Sequence, residues 1–538
     1  MNKIRYDGPV VLAVLDGVGL RKELNGNAAA LAHTEWLDKV AANYPSMALL
    51  ASGEAVGITP GTMGNSEVGH NTLGSGQIIK QGIARIDDAF STGEIWQSEA
   101  WKGSIEQVLK NHSTLHFSGI FSDGKVHSSI EHLFKMIEKA AEEGVRRIRV
   151  HVVLDGRDVP PQSEPKYIGM LVSFIVSLTT KYEDLDVKIG SGGGRMVFVA
   201  DRYENDWGIV EKGWNAICHG EAERKFPSAY KAVETFRTED PRVQDQYIPP
   251  FVVVDEAGEP VGKVSDGDAF IYYDFRADRA IEIAQAFTYE DFPYFDRGYG
   301  EGNRRPDVYF VGMTEYNSDT HVPEHQLVPP VTIEHTLNEF IASCGMSQLA
   351  VAETVKFGHI TYYFNGNSYI KATGEEQAEI TSDTAPFETR PWMKSAEICD
   401  AVLERMADFD FVRVNFAGGD MVGHTGGLEE TIVAVEAIDV QLARLARKVD
   451  ELGGMMIVTA DHGNAEELIA DDGTVKTSHT TNLVPCLFYD NTSNAAKYVI
   501  RPLDDAGLSN IAATVALLLG RSDYPKVWRK PLIAIDNT

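Results

Sequence analysis

Apolar residues in this chain gather into short, near-continuous runs that end abruptly in acids. Val10–Leu15 is followed by Asp16, Phe411–Ala417 by Gly418, Gly419, Asp420 and then His424, and Met455–Ala460 by Asp461 and His462. Such runs read as strands buried on both faces. Amphipathic helical stretches separate them, and the alternation from end to end predicts an α/β fold. Residues 1–86 read as a strand, a glycine-rich loop and a helix. A different block follows, with strands expected at Leu115–Ile120, Ile148–Leu154 and Phe270–Tyr273 and helices near Ile130–Glu143 and Tyr167–Thr180. A turn-rich stretch at 291–307 reads as surface loop, and the alternation resumes near Val331.

Ligands of open α/β sheets bind beyond the carboxyl ends of the strands. Asp16 must therefore join Asp420 and Asp461 across more than four hundred intervening residues. One domain built from both chain ends, 1–86 and 326–538, meets that requirement, with a second α/β domain inserted at 87–325.

Composition narrows the partners. The 538 residues are 43% hydrophobic and carry a net charge of −30, with a pI near 4.9. An acidic surface repels nucleic acid and anionic membranes, so neither is expected as a partner. Cys218, Cys344, Cys399 and Cys486 are scattered and form no C-x-x-C pair, which suits a reducing compartment. Pro9–Leu15 is too short for a signal peptide and Met170–Leu178 too short to span a bilayer. The expectation is a soluble, cytoplasmic monomer.

The acids and histidines read as a two-metal centre. Asp420 and His424 have i,i+4 spacing, which places both on one face of a helical turn. Asp461 and His462 are adjacent and are expected to diverge, one to each of two sites. His479 lies in a polar loop, K-T-S-H-T-T-N, with little apolar packing to explain it. Mixed carboxylate and imidazole donors suit Mn, Zn, Co or Fe and rarely Mg alone; two divalent ions are expected, with Mn the first candidate and Co, Zn or Mg the others. Ser66 sits in the glycine-rich segment Gly57–Gly76, where it reads either as a metal-activated nucleophile or as part of a plain turn capped by Asn65.

In the inserted block, cations and a histidine follow the strands: His127, Arg157 with Asp158, Arg195, Arg202, and Arg276 with Arg279. Guanidinium forks match phosphate and carboxylate, and an i,i+3 arginine pair would share a helix face. In so acidic a chain, this set points to a small substrate with two anionic groups.

Taken together, A-V-L-D-G-V-G, T-M-G-N-S-E-V-G-H-N, S-D-G-K-V-H-S, L-D-G-R-D-V-P-P, S-G-G-G-R, D-F-R-A-D-R, A-E-T-V-K-F-G-H, N-F-A-G-G-D-M-V-G-H-T and V-T-A-D-H-G-N resemble cofactor-independent phosphoglycerate mutases. That family is a branch of the alkaline-phosphatase-like metalloenzymes. The resemblance runs from about Pro9 to the last 20 residues and is closer to the longer plant and trypanosomatid form.

It implies an isomerase of glycolysis and gluconeogenesis that interconverts 3- and 2-phosphoglycerate without added 2,3-bisphosphoglycerate. Ser66 would carry the phosphoryl group. Asp16, Ser66, Asp461 and His462 would hold one metal, and Asp420, His424 and His479 the other. Lys356 would neutralise the transferring phosphoryl, and His127, Arg157, Asp158, Arg195, Arg202, Arg276 and Arg279 would hold the phosphoglycerate. Asp158 would exchange a proton with the substrate hydroxyl, and the inserted domain would exclude water. Ser128-Ser129 departs from the pattern, which has a further His there. A metal-dependent phosphatase or a phosphopentomutase on the same scaffold is the alternative, and a non-catalytic sensor a third reading.

Overall fold

A computed structural model describes residues 4–201, 206–300, 303–317, 320–331, 333–470 and 472–535. The chain divides into two compact units, Met1–Ala84 with Thr332–Thr538, and Arg85–Val331.

Among the described residues, the first unit carries a seven-stranded sheet in the order Glu375–Ile380, Gln348–Glu353, Phe411–Phe416, Val10–Leu15, Met455–Thr459, Val484–Tyr489, Ser46–Leu49. The first five are parallel, and the last two pair antiparallel. Every residue of Val10–Leu15, Phe411–Phe416 and Met455–Thr459 is buried. That is why these strands read as near-continuous apolar runs rather than alternating ones. The register sets Leu15 beside Phe416 and Val14 beside Thr459, so the three strands finish at the same height.

The second unit has its own seven-stranded sheet among the described residues, in the order Arg224–Phe226, Phe251–Val253, Asp186–Gly194, Arg147–Leu154, Leu115–Phe121, Ala269–Tyr272, Tyr309–Gly312. Apolar clusters cover both faces. Phe117, Val150 and Ile271 pack on one, and Ile120, Val153 and Phe270 on the other. Helices Ile130–Glu142 and Glu164–Lys181 cover the apolar segments that the sequence marks as helical. No helix among the described residues is long and apolar enough to cross a membrane.

Candidate active site

In the first unit, four neighbouring strands deliver the chemistry from their carboxyl ends. Asp16 follows Val10–Leu15, Asp461 and His462 follow Met455–Thr459, and Asp420 lies in the short helix Gly418–Gly423 after Phe411–Phe416. Lys356 enters on the helix Thr354–Gly358, directly after Gln348–Glu353. Gly17 lets the first loop turn, with φ +73°, and a Cβ there would stand 2.6 Å from the Asp420 Cα.

Lys356 is at the middle of this crest. Its Nζ donates to Ser66 Oγ at 2.6 Å and lies 2.7 Å from both Asp16 Oδ1 and Asp420 Oδ2. All are buried: Asp16 and Asp461 are 0% exposed, Asp420 2%, Lys356 3% and Ser66 5%. Burial alone would strip the proton from Lys356, but Asp16, Asp420 and Asp461 outweigh it and hold the amine above its ordinary value. The side chain is an ammonium and therefore a donor, not a base. Burial and the Asp461 charge push Asp16 up. Against the same burial, Lys356 and the neighbouring histidines hold Asp420 well below the usual carboxylate range, and His462, His70 and Lys356 do so for Asp461.

The histidines show a ligand-type arrangement. His424 Nδ1 meets Thr477 O at 2.7 Å and His479 Nδ1 meets Gly64 O at 2.8 Å. A carbonyl only accepts, so each Nδ1 carries a proton and each Nε2 is the nitrogen left to ligate a metal. This is the partner arrangement of metal-bound imidazoles. Those Nε2 atoms lie 3.0 Å apart and 3.2 and 3.1 Å from Asp420 Oδ1. Asp420 holds both imidazoles above their ordinary pKa, for His479 against burial, and a divalent cation would serve that carboxylate in place of the protons.

Donor atoms of Asp16, Asp461 and His462, and of Asp420, His462 and His479, each lie within 4.8 Å of one another. The donor set fits divalent ions. Adjacent Asp461 and His462 do not diverge as expected. His462 Nε2 is 3.5 Å from Asp461 Oδ2, 3.7 Å from Asp16 Oδ1 and 4.0 Å from Asp420 Oδ1, so it faces both groups.

Ser66 lies in a more ordered setting than a glycine-rich loop. It opens the helix Ser66–Ser75, with Asn65 as N-cap, Oδ1 accepting from Val68 N–H at 2.9 Å. Its Oγ is 2.9 Å from His462 Nε2 and donates to Asp16 Oδ1 at 3.2 Å. The hydroxyl thus sits at the positive end of a helix dipole, where an anionic group is stabilised.

The second unit repeats the placement with opposite chemistry. Asp155, directly after Arg147–Leu154, accepts at Oδ1 from the backbone N–H of Arg157 (3.2 Å) and Asp158 (3.1 Å) and from Arg195 Nη1 (2.7 Å); Ser122 Oγ donates to its Oδ2 at 2.6 Å. The same Arg195 nitrogen holds Asp158. His127 lies 4.0 Å from Asp158 and 3.6 Å from Asp278, which is also 3.6 Å from Arg276. Burial and the Arg195 guanidinium lower the His127 pKa to about 4. Arg157 is exposed.

Arg276 and Arg279 do not share a helix face. Arg276 has extended backbone ahead of a single 3₁₀ turn and is 47% exposed, whereas Arg279 turns inward and donates to Ala200 O at 2.6 Å. Arg202 lies outside the described residues.

Sequence reasoning leaves out the polar residues behind the crest. His70 Nδ1 lies 2.8 Å from Ser66 O and 3.2 Å from Asp461 Oδ2. Asn415 donates to Asp16 Oδ2 at 2.7 Å, and Asn464 to Asp420 Oδ1 at 2.9 Å. Asn415 carries a visible signal, a polar side chain inside a buried strand.

A family model described as the metalloenzyme superfamily matches residues 8–523. A probable 2,3-bisphosphoglycerate-independent phosphoglycerate mutase of Leptospira interrogans is 43% identical, with 97% of each chain covered. The Trypanosoma brucei enzyme of that description is 40% identical over 96% of each chain, and the Ricinus communis one 41% identical over 98% of this chain and 97% of its own. A crystal structure of Leishmania mexicana phosphoglycerate mutase, solved at low cobalt concentration, is 40% identical, aligns with a TM-score of 0.67, and covers 100% of this chain and 99% of its own. With the serine, ammonium and acid–histidine crest in place, this chain belongs to the 2,3-bisphosphoglycerate-independent phosphoglycerate mutases of the metalloenzyme superfamily.

Proposed function

We propose that the protein interconverts 3-phosphoglycerate and 2-phosphoglycerate through a phosphorylated Ser66, as an isomerase that needs no 2,3-bisphosphoglycerate. The observation that carries this reading is the surroundings of Ser66 Oγ, with Lys356 Nζ at 2.6 Å, His462 Nε2 at 2.9 Å and Asp16 Oδ1 at 3.2 Å. Oγ attacks phosphorus, the bond to the substrate's 3-oxygen breaks, and glycerate stays bound. The 2-oxygen then attacks the phosphoserine and Oγ leaves. Lys356, held as an ammonium, neutralises charge on the phosphoryl oxygens in both directions. The helix Ser66–Ser75 adds its dipole to the same end.

Divalent ions would be held by Asp16, Ser66, Asp461 and His462, and by Asp420, His424 and His479. When bound they would lower the hydroxyl pKa of Ser66 and polarise the phosphoryl group. Manganese is the ion proposed, and the cobalt present when the Leishmania mexicana enzyme was crystallised supports a transition metal. In the second unit, His127, Arg157, Arg195, Arg202, Arg276 and Arg279 would bind the phosphoglycerate anions. Asp158 would pass a proton to and from the glycerate hydroxyls. A monomer acting in cytoplasmic glycolysis and gluconeogenesis fits this reading.

The test is conversion of 3-phosphoglycerate by purified protein without 2,3-bisphosphoglycerate, with and without chelator. Release of inorganic phosphate as the main product would replace the mutase by a phosphatase.

A further inference from the structure

Glu466 is fully buried, 0% exposed, yet it lies outside the acid–histidine crest and sequence reasoning gives it no role. Its carboxylate takes four donors from three separate loops. Gly19 N–H and Asn464 N–H donate to Oε2, each at 2.9 Å. Thr480 Oγ1 and Asn482 Nδ2, the latter at 2.9 Å, donate to Oε1. A carboxylate offers about four acceptor positions, so this one is saturated.

Each donor lies within three residues of a proposed ligand. Gly19 follows Asp16 in its loop, Asn464 follows Asp461 and His462, and Thr480 is next to His479. Asn464 extends the reach, since its side chain donates to Asp420 Oδ1 at 2.9 Å. Room for the carboxylate comes from two glycines. A Cβ on Gly19 or Gly463 would overlap the Glu466 side chain.

We propose that Glu466, acting partly through Asn464, is a positioning residue that sets the spacing of the loops carrying Asp16, Asp461, His462, His479 and Asp420, and so sets divalent-ion affinity. The proposal rests on the metal reading above. A neutral amide of the same shape cannot do this task. In Glu466→Gln the side-chain NH₂ would face the Gly19 and Asn464 N–H groups in one orientation and Thr480 Oγ1 with Asn482 Nδ2 in the other; only the Thr480 hydroxyl can turn to accept, so at least one donor is left unpaired and the loops are forced apart. The loops would still be joined by the backbone bonds Ala465 N–H to Gly17 O at 2.9 Å and Thr480 N–H to Gly463 O at 3.0 Å. The defect should therefore fall on spacing rather than on the fold.

The experiment uses full-length protein stripped with chelator and titrated calorimetrically with Mn²⁺, with unfolding midpoints measured before and after loading. Glu466→Gln should weaken Mn²⁺ binding by about 10- to 100-fold, the range for residues that orient metal ligands. Its loaded form should lose more of its midpoint than its stripped form. Thr480→Val, which removes one donor, should weaken binding severalfold, and it serves as the test if Glu466→Gln does not fold. Affinity within about twofold of wild type in the folded variant overturns the proposal. So does a stripped-form midpoint that falls while affinity holds, because Glu466 is then merely structural. If wild-type protein takes up no Mn²⁺, the metal reading fails and the proposal fails with it. That outcome shows in the wild type, not in the variants.

Discussion

Two crests in this molecule lie at the carboxyl ends of the strands in their sheets and are built from different charged groups. In the first unit, four neighbouring strands end in Asp16, Asp420, Asp461 and the Lys356 helix, with one ammonium among three carboxylates. In the second, four neighbouring strands end in loops bearing His127, Arg157, Arg195, Arg276 and Arg279, with Arg195 anchored on the buried Asp155. The first is short of positive charge and calls for cations. The second gathers guanidinium groups and calls for anions. Two open α/β sheets thus support two recognition tasks, because a sheet fixes only where side chains emerge and the loops decide their charge. The division separates transition-state chemistry, expected of the first crest, from retention of the substrate, expected of the second.

The sharpest break in this comparison is Ser66→Ala. If the first crest alone accepts the phosphoryl group, turnover should fall more than about a thousandfold while circular dichroism and the unfolding midpoint stay near wild type. Residual turnover above that level, measured by 2-phosphoglycerate formation, would remove Ser66 as the nucleophile.

Chelation comes next in size. Activity should drop to background after exhaustive EDTA treatment and return with Mn²⁺, with Co²⁺ the second ion to try. Substrate binding by the second crest should be far less affected, because its ligands are side chains of the protein. Equal loss of both would erase the distinction between the crests.

How much of this can be read from the sequence depends on burial. Strands buried on both faces write themselves as apolar runs, so Val10–Leu15 and the acid after it are plain. Asp420 and His424 follow from helical spacing, and their Oδ1–Nε2 distance of 3.2 Å agrees with it. The polar residues behind them are not legible. Glu466 and Asn464 look like surface residues until the loops that surround them are placed, since their partners are up to 447 residues away. Spacing also misleads. Arg276 and Arg279 have helical separation, but Arg276 has extended backbone and precedes the single 3₁₀ turn Ala277–Arg279, so the two do not share a helix face. Adjacent Asp461 and His462 converge, with Asp461 Oδ2 3.5 Å from His462 Nε2, which adjacency in sequence does not reveal.

A smaller effect tests the second crest. Arg276 is half exposed and near Asp278, so its guanidinium is available to an anion. Arg276→Ala should raise KM about tenfold or more and lower kcat less, and the ratio of 2-phosphoglycerate to released phosphate should fall as glycerate escapes before the return transfer. If kcat falls alone, with KM and the product ratio unchanged, Arg276 belongs to the chemistry of the first crest and the division is wrong.

The finest distinction concerns charge on His127. The arginines in its loops suggest a cationic pocket throughout, but burial and the Arg195 guanidinium lower this imidazole to about 4. Asp278 and Asp158 oppose the shift without reversing it. At neutral pH the ring is therefore neutral and can bind substrate only through hydrogen bonds. The sign for stability follows. An unfolded chain protonates this histidine below about pH 6.5, whereas the native site refuses the proton until about pH 4. His127 thus costs stability progressively as pH falls through that window, and the loss levels off below it. His127→Gln should remove that part of the slope and change stability little at pH 7. Imidazole resonances assigned by comparison with the variant should titrate near pH 4 in free enzyme and move upward when phosphoglycerate binds, because an anion favours the charged ring. A midpoint at or above the ordinary value in free enzyme would make His127 one more cation, and the second crest would then recognise its substrate by charge alone.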